Sequence, residues 1–209
     1  MNEQAATEIH ADGFTQIKAA VDLATVGRLS AACEQAFIVD SAVQRARSSR
    51  GHVYAARNLL DVVPEIQTFW REGKPFEILN CILGDQFGLV RVLFFDKPPD
   101  RTWTLPWHKD TAIAVKDHSH RSAKFSRPTV KSGVPHVVAS DDVLQQMLTL
   151  RLHLDDVTDE NGPLRVIPGS HVSSTSEGAG VEAAVTIHAA AGDMLAMRPL
   201  ISHSSGSSK

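Results

Sequence analysis

Residues 148–154 have the sequence Leu148-Thr149-Leu150-Arg151-Leu152-His153-Leu154, in which apolar and polar side chains alternate without interruption. A period of two is that of a β-strand with one buried face and one polar face. The leucines are therefore predicted on one face, and Arg151 and His153 on the other. Further strands, separated by glycine-containing turns, are predicted at 164–167, 184–188 and 194–197. The second half of the chain is thus predicted to be antiparallel β.

The first half of the chain is predicted to be mainly helical. Helices are predicted over 22–36, from Pro64 onward and over 75–83. Strands are predicted at 14–17 and 88–95, a solvated loop at 45–50, and a long insertion at 116–140. A chain of 209 residues fits one domain. We expect a mainly β core at 86–209 with the helical residues 1–85 packed on it.

The composition excludes several classes of function. Lysine and arginine number 21 against 24 aspartate and glutamate residues, so no basic surface for nucleic acid or an anionic membrane is indicated. The chain has no apolar run near the ~18 residues of a membrane span, and its first residues lack the pattern of a secretory signal. We therefore expect a cytoplasmic protein without nucleic-acid or membrane partners. The sequence carries no signal for the oligomeric state.

The sequence Trp107-His108-Lys109-Asp110 is the first candidate for chemistry. In an extended backbone, residues two apart point to the same face, so His108 and Asp110 can converge on one ion. Such a pair also occurs in surface loops and as a hydrogen-bonded contact, so a metal site needs a further ligand. His203 is the best candidate, because an antiparallel barrel brings strand ends together at its mouth. Two histidines and one carboxylate form the ligand set of non-haem Fe(II) oxygenases and leave positions open on the metal.

Two longer blocks accompany the Trp-His-x-Asp motif. They are Asn161-Gly162-Pro163-Leu164-Arg165-Val166-Ile167-Pro168-Gly169-Ser170-His171 and Ser202-His203-Ser204-Ser205. Together the three motifs resemble the phytanoyl-CoA dioxygenase family, well over 87–208 and loosely over the helical part. The resemblance implies a double-stranded β-helix (a jelly-roll, cupin-like core with N-terminal helices), an Fe(II) centre, and 2-oxoglutarate and dioxygen as cosubstrates.

The resemblance also assigns residues. The family's metal ligands fall on His108, Asp110 and His203. Ser205 falls where relatives hydrogen-bond the remote carboxylate of 2-oxoglutarate. Arg151 falls where relatives place a residue that lines the cosubstrate pocket, although an exposed arginine on a half-buried strand explains it equally well. Arg91 is a weaker candidate of the same kind.

The end of the sequence departs from the family pattern. Relatives hold the remote carboxylate of 2-oxoglutarate with an arginine on the strand that follows the distal histidine, whereas this sequence ends at Lys209. We therefore expect a C-terminus from which one or more strands are missing. Arg151 or Arg91 would then take the place of that arginine.

The predicted insertion at 116–140 is expected to act as a lid over a small organic substrate, with His136 and Lys131 as candidates for substrate contact. Its basic side chains favour an anionic substrate, although a solvated loop explains the same charges. They belong to Lys116, His118, His120, Arg121, Lys124, Arg127 and Lys131.

Hydroxylation with release of succinate and CO2 is the reaction that the resemblance implies, because Asp110 retains the carboxylate that halogenating relatives replace by a small residue. Two other interpretations stay open. A zinc hydrolase could use the same ligands to activate water. A cupin-like binding module could keep the metal but, without the anchoring arginine, no longer turn over 2-oxoglutarate.

Overall fold

The computed structural model describes residues 2–39, 46–49, 52–98, 102–120, 122–172 and 180–209. Its α-helices are α1 (Asn2–Ala11), α2 (Leu23–Val39), α3 (Gly73–Leu83) and α4 (Asp141–Leu144). Short 3-10 helices lie at Leu59–Asp61, Pro64–Gln67, Phe69–Arg71 and Val181–Ala183. None of the described helices is long and apolar enough to cross a membrane.

The strands follow one another along the whole chain. They are β1 (Phe14–Ile17), β2 (Ala46–Ser49), β3 (His52–Arg57), β4 (Leu93–Phe95), β5 (Leu105–His108), β6 (Ala112–Ala114), β7 (Phe125–Lys131), β8 (Val134–Ala139), β9 (Thr149–Leu152), β10 (Leu164–Val166), β11 (Val185–Thr186), β12 (Met194–Met197) and β13 (His203–Ser205). Their pairing is antiparallel and produces four sheets, in the orders β1-β12-β9, β11-β10-β13-β5, β2-β3-β4 and β6-β8-β7.

Strand β12 is buried on both faces. Met194 and Ala196 point to one side and pack in a cluster with Ile78 of α3. Leu195 and Met197 point to the other side, where a second cluster joins β12 to β10. Because successive side chains of a strand alternate between faces, β12 lies between the helices on one side and the facing sheet on the other.

Helix α2 covers the sheet β2-β3-β4. Leu29, Cys33 and Ala36, spaced to fall on one helical face, pack with Ala56 of β3 and with Leu59. This buried face is the one that the apolar spacing over 22–36 predicts. Burial raises the pKa of the Cys33 thiol to about 11. Cys33 and Cys81 are both free, the first buried and the second exposed.

The first half contains more β-structure than its sequence predicts. Residues 46–49, predicted as a loop, form β2, which pairs with β3; residues 45 and 50 lie outside the described residues. The strand predicted at 88–95 is limited to β4, and the helix expected from Pro64 is a pair of short 3-10 helices. Pairing with β3 stabilises β2, although the sequence of β2 has no apolar period. The local sequence therefore does not predict this strand.

The predicted long insertion is instead a β-hairpin, which corrects the assignment of His136 and Lys131 to a lid loop. Both residues lie on strands, β8 and β7, and β8 also pairs with β6. The two residues of the hairpin turn, Ser132 and Gly133, have φ values of 50° and 78°, as a two-residue primed turn requires. The ladder shifts register between Ser126 and Thr129, at the proline of this exposed edge strand, so the period-two signal is interrupted.

Replacing Gly192 by alanine is expected to lower the melting temperature. Gly192 has a φ of 88°, and an added Cβ would lie 2.4 Å from the Val21 carbonyl oxygen. The strained backbone alone costs roughly 1–3 kcal/mol. Gly27→Ala is the matched control: an added Cβ there meets no atom within 4 Å, and alanine in a helix is favoured over glycine by roughly 0.5–1 kcal/mol. Chemical denaturation measures the free energy of unfolding of both variants, and equal changes in the two would contradict this account.

Candidate metal centre

The register between β5 and β13 brings two histidines together. His108 is the last residue of β5, His203 is the first residue of β13, and the two are paired directly. Their ring centroids lie 4.2 Å apart. Asp110 follows β5, and its backbone N–H donates to the carbonyl of Pro199 at 2.9 Å. One ligand atom from each of His108, Asp110 and His203 lies within 4.8 Å of the other two, so the structure brings the three predicted ligands together.

Both imidazoles present the same nitrogen to the centre. The Nδ1 atom of His108 lies 2.9 Å from the Pro106 carbonyl oxygen, and that of His203 lies 2.9 Å from the Ile201 carbonyl oxygen. A carbonyl only accepts, so each Nδ1 carries the proton and donates it. The Nε2 lone pairs are therefore left for a metal ion, and the Nε2 of His203 lies 4.0 Å from Oδ2 of Asp110.

Burial keeps His203 in the form that a metal requires. Only 4% of the residue is exposed. This burial lowers the pKa of His203, against the opposing influence of its hydrogen bond to Ile201 and of the Asp110 carboxylate. A neutral imidazole is the metal-binding form of histidine.

The block at 161–171 holds β13 in position. The Oγ atom of Ser170 accepts the backbone N–H of Ser202 at 2.8 Å and donates to the Ile167 carbonyl at 2.7 Å. Gly162 has a φ of 64°, and an added Cβ there would lie 2.4 Å from the Gly206 carbonyl oxygen. Close backbone contact therefore explains Gly162, and the two hydrogen bonds of the Oγ atom explain Ser170.

Lys97 is a residue of this region that sequence reasoning missed. Its Nζ donates to Oγ of Ser205 at 2.9 Å and to the carbonyls of Gly162 at 3.3 Å and Gly206 at 2.6 Å. Burial, and then the charge of Arg151, lower its pKa to about 8. No motif in the sequence marks Lys97, because its hydrogen-bond partners come from distant segments of the chain.

Arg151 faces the interior between the sheet β1-β12-β9 and the sheet β11-β10-β13-β5. It pairs with Leu195 of β12, whose side chain packs toward β10, and directly paired residues of an antiparallel ladder share a face. The predicted alternation is confirmed, since Leu150 and Leu152 pack instead against the helix side. The charge of Arg151 contributes to lowering the pKa values of His203, His153 and Lys97. Within the described ranges, no carboxylate forms an ion pair with Arg151 or Lys97.

Arg91 and the two hairpin residues lie in a different group. The charges of Lys131, Arg91 and Arg57 all contribute to lowering the pKa of His136, after the larger effect of burial. Arg91 is not among the charges that shift the pKa of Lys97 or His203. Arg91 thus acts electrostatically on His136, and its predicted role beside the cosubstrate stays a prediction.

The family model described as phytanoyl-CoA dioxygenase (PhyH) matches residues 9–209. No curated protein matches the chain by sequence. Similar solved structures include the non-heme alpha ketoglutarate dependent carbocyclase SnoK from nogalamycin biosynthesis, at 16% identity and a TM-score of 0.71 over 98% of this chain and 77% of SnoK.

Two further structures are AviO1 from Streptomyces viridochromogenes Tue57 and EctD from S. alaskensis with 2-oxoglutarate and 5-hydroxyectoine. AviO1 is 22% identical, with a TM-score of 0.67 over 99% of this chain and 87% of AviO1. EctD is 16% identical, with a TM-score of 0.71 over 99% of this chain and 70% of EctD. These likenesses confirm the predicted mainly β, double-stranded β-helix fold.

His108→Ala and Asp110→Ala are each expected to weaken Mn(II) binding more than about 100-fold, since even the loss of a ligand's supporting partner costs ~10–100-fold. Each variant removes a ligand atom and little core volume, so the metal-free melting temperature should stay close to that of the parent. His188→Ala is the control, because His188 is an exposed histidine beside a carboxylate, 2.8 Å from Asp159. Calorimetric titration with Mn(II) measures the effect, and unchanged affinity in either variant would contradict the assignment.

His153→Gln is expected to reduce the acid sensitivity of the fold. Burial, and then the charge of Arg151, lower the pKa of His153 from 6.5 to about 4. Between these values the unfolded chain binds more protons than the folded chain, so the free energy of unfolding decreases as the pH falls. A difference of this size corresponds to roughly 3 kcal/mol. Urea denaturation across this pH range measures the slope, which should stay unchanged in the exposed control His188→Gln.

Proposed function

The chain belongs to the phytanoyl-CoA dioxygenase family, and from that premise we propose that it is an Fe(II)- and 2-oxoglutarate-dependent dioxygenase. It hydroxylates a small organic substrate and releases succinate and CO2. The observation that carries the proposal is the convergence of His108, Asp110 and His203 within 4.8 Å. Two histidines and one carboxylate on one side of an ion are the ligands of non-haem Fe(II) oxygenases.

The three side chains fit iron both in their protonation states and in their positions. His108 and His203 would bind through Nε2, because their Nδ1–H groups are held by the carbonyls of Pro106 and Ile201. These two hydrogen bonds fix the ring orientation and increase the basicity of the ligating nitrogens. Asp110 would supply the anionic ligand. Bound here, Fe(II) with 2-oxoglutarate and dioxygen supplies an oxidant that can attack an unactivated C–H bond.

The residues beside the triad suit a dianionic cosubstrate. 2-Oxoglutarate carries two carboxylates, and two cations without an ion-pair partner among the described residues, Lys97 and Arg151, lie in this region. Lys97 and Ser205 are already joined by a 2.9 Å hydrogen bond, so both can bind the remote carboxylate together. Charge-assisted hydrogen bonds of this kind are about twice as strong as neutral ones. Bound 2-oxoglutarate would also offset the cost of keeping two cations in a poorly solvated interior.

The carboxylate of Asp110 favours hydroxylation among the reactions open to such a centre. A small residue in its place would leave a metal position free for a halide, whereas the carboxylate occupies it. The similar structures include a protein described as a carbocyclase, so the outcome at the substrate needs its own test. Isotopically labelled dioxygen is the test. One labelled oxygen atom in the product formed from the organic substrate supports hydroxylation, and its absence from that product contradicts this part of the proposal.

Anaerobic titration of the full chain with Fe(II) and 2-oxoglutarate is expected to produce the weak visible charge-transfer band of the chelate. Lys97→Met should lower the affinity for 2-oxoglutarate by at least about tenfold, since a hydrogen bond to a charged group contributes roughly 1.5–3 kcal/mol. Its affinity for Mn(II) alone should be unchanged, because Lys97 is not a metal ligand.

Lys124→Met is the matched control for this titration, because Lys124 is an exposed lysine whose ammonium pairs with Asp142 at 2.9 Å. It should leave the affinity for 2-oxoglutarate unchanged. If iron binds and no band develops, the oxygenase proposal is overturned and a metal-holding binding module is favoured.

A further inference from the structure

A second group of cations lies apart from the pair formed by Lys97 and Arg151. Arg57, Arg91 and Lys131, here called the basic cluster, all contribute through their charges to lowering the pKa of His136 on strand β8. All four side chains are half-buried or buried, and only 3% of His136 is exposed. The cluster is built by two separate sheets, and neither the metal centre nor the proposed cosubstrate contacts use it.

One member of the cluster lies on β3, and a second lies just before β4. Arg57 pairs with Leu93 of β4, and Arg91 lies two residues before Leu93. The neighbouring positions Ala56 and Phe94, which are also paired, pack toward α2. Since alternate residues of a strand occupy opposite faces, Arg57 lies on the face turned away from α2. Arg91 precedes β4, and its neighbour Val92 packs in the cluster with α2.

The third member comes from the hairpin. Lys131 pairs with Val134, and His136 lies two residues further along β8, on the same face. The two sheets are joined at this point, because Nδ2 of Asn58, the residue after Arg57, donates to the Ser132 carbonyl at 3.1 Å. The hairpin turn is therefore held against the end of β3, which brings Lys131 toward the two arginines.

Strand β6 connects the hairpin to the metal centre. His136 pairs with Ala114 of β6, and the ladder continues to Thr111, whose carbonyl accepts the N–H of Ala139 at 3.0 Å. Asp110 lies four residues before Ala114, just ahead of β6. Four residues of strand span about 13 Å. The basic cluster is thus one small-molecule length away from the predicted ligands.

The charges of the cluster reinforce one another. All three cations act on His136 in the same direction, lowering its pKa in addition to the larger effect of burial. Arg91 and Lys131 form no ion pair or hydrogen bond with any described residue. Arg91 and Lys131 therefore offer a guanidinium and an ammonium to the oxygens of a carboxylate or phosphate group, which arginine can bind with paired hydrogen bonds.

We infer that the basic cluster is the substrate-recognition site and that the substrate carries an oxyanion, a carboxylate or a phosphate ester, about 13 Å from the carbon that is oxidised. This inference rests on the function proposed above. The cluster binds the anionic end of the substrate, and β6 and β8 lead its other end toward His108, Asp110 and His203. The basic charge of residues 116–140 does not account for the cluster, because two of its three cations lie outside that segment.

Inorganic phosphate and acetate are the probes. Each is titrated calorimetrically, at low ionic strength, into the full chain with one equivalent of 2-oxoglutarate. The cosubstrate then fills its own site, and little free dianion is left to compete with the probe at the basic cluster. We expect one saturable site, weakened about tenfold or more by Arg91→Gln and by Lys131→Gln. Arg91→Lys, which keeps the charge, should restore part of the affinity. Tighter binding of phosphate indicates a phosphate ester as substrate, and tighter binding of acetate indicates a carboxylic acid.

Lys116→Gln is the matched control, because it removes one exposed lysine from the segment that was predicted as a lid. Absence of saturable binding, equal weakening in this control, or binding that neither Arg91→Gln nor Lys131→Gln affects would each overturn the inference. The Fe(II) and 2-oxoglutarate band of Arg91→Gln should equal that of the parent. Absence of the band in the parent would contradict the proposed function alone, because the phosphate titration does not depend on that band.

Discussion

The pairing of β13 with β5 is the constraint on which the candidate metal centre depends. His203 lies opposite His108 only in the observed register, and a shift by one residue would turn one imidazole to the other side of the sheet. Three hydrogen bonds outside this pair hold the register. Ser202 is bound through both its N–H, to Ser170, and its carbonyl, to Ile167, while the N–H of Asp110 binds the Pro199 carbonyl. The turn after β10 therefore positions the ligands although it contributes none.

The two-sided burial of β12 explains why a cation can be kept beside that centre. The helices cover one face of the sheet β1-β12-β9 through Met194 and Ala196, which leaves the other face for the interior between the sheets. Arg151 shares this interior face with Leu195. A guanidinium in such a place is poorly solvated, and a bound dianion stabilises it more than water can. The helical part thus contributes indirectly: it buries Leu150 and Leu152 on one face of β9, which leaves Arg151 on the opposite face.

The sequence predicts those features that burial or a fixed spacing encodes. The alternation over 148–154 predicts β9 and its two faces, and the His-x-Asp spacing with a distal histidine predicts the three residues that converge. Lys97 gives no such signal, because its role depends on the approach of Gly162 and Ser205 from distant segments. The hairpin is hidden for another reason: β7 is an exposed edge strand with a proline, so neither apolar periodicity nor burial is imposed on its sequence. Likewise, the grouping of Arg57 with Arg91 and Lys131 follows from a contact between two sheets and not from any local pattern.

The distribution of charge in the interior differs from that of the whole chain. The protein has a formal charge of −3, yet its interior contains two sets of cations. Arg151 contributes to lowering the pKa values of Lys97 and His203, and Arg57, Arg91 and Lys131 contribute to lowering the pKa of His136. Because about 13 Å of strand separates His136 from Asp110, a single small anion cannot neutralise both sets. Under the two proposals, 2-oxoglutarate beside Lys97 and Arg151 and an oxyanion of the substrate beside Arg91 and Lys131 would therefore be bound at separate places.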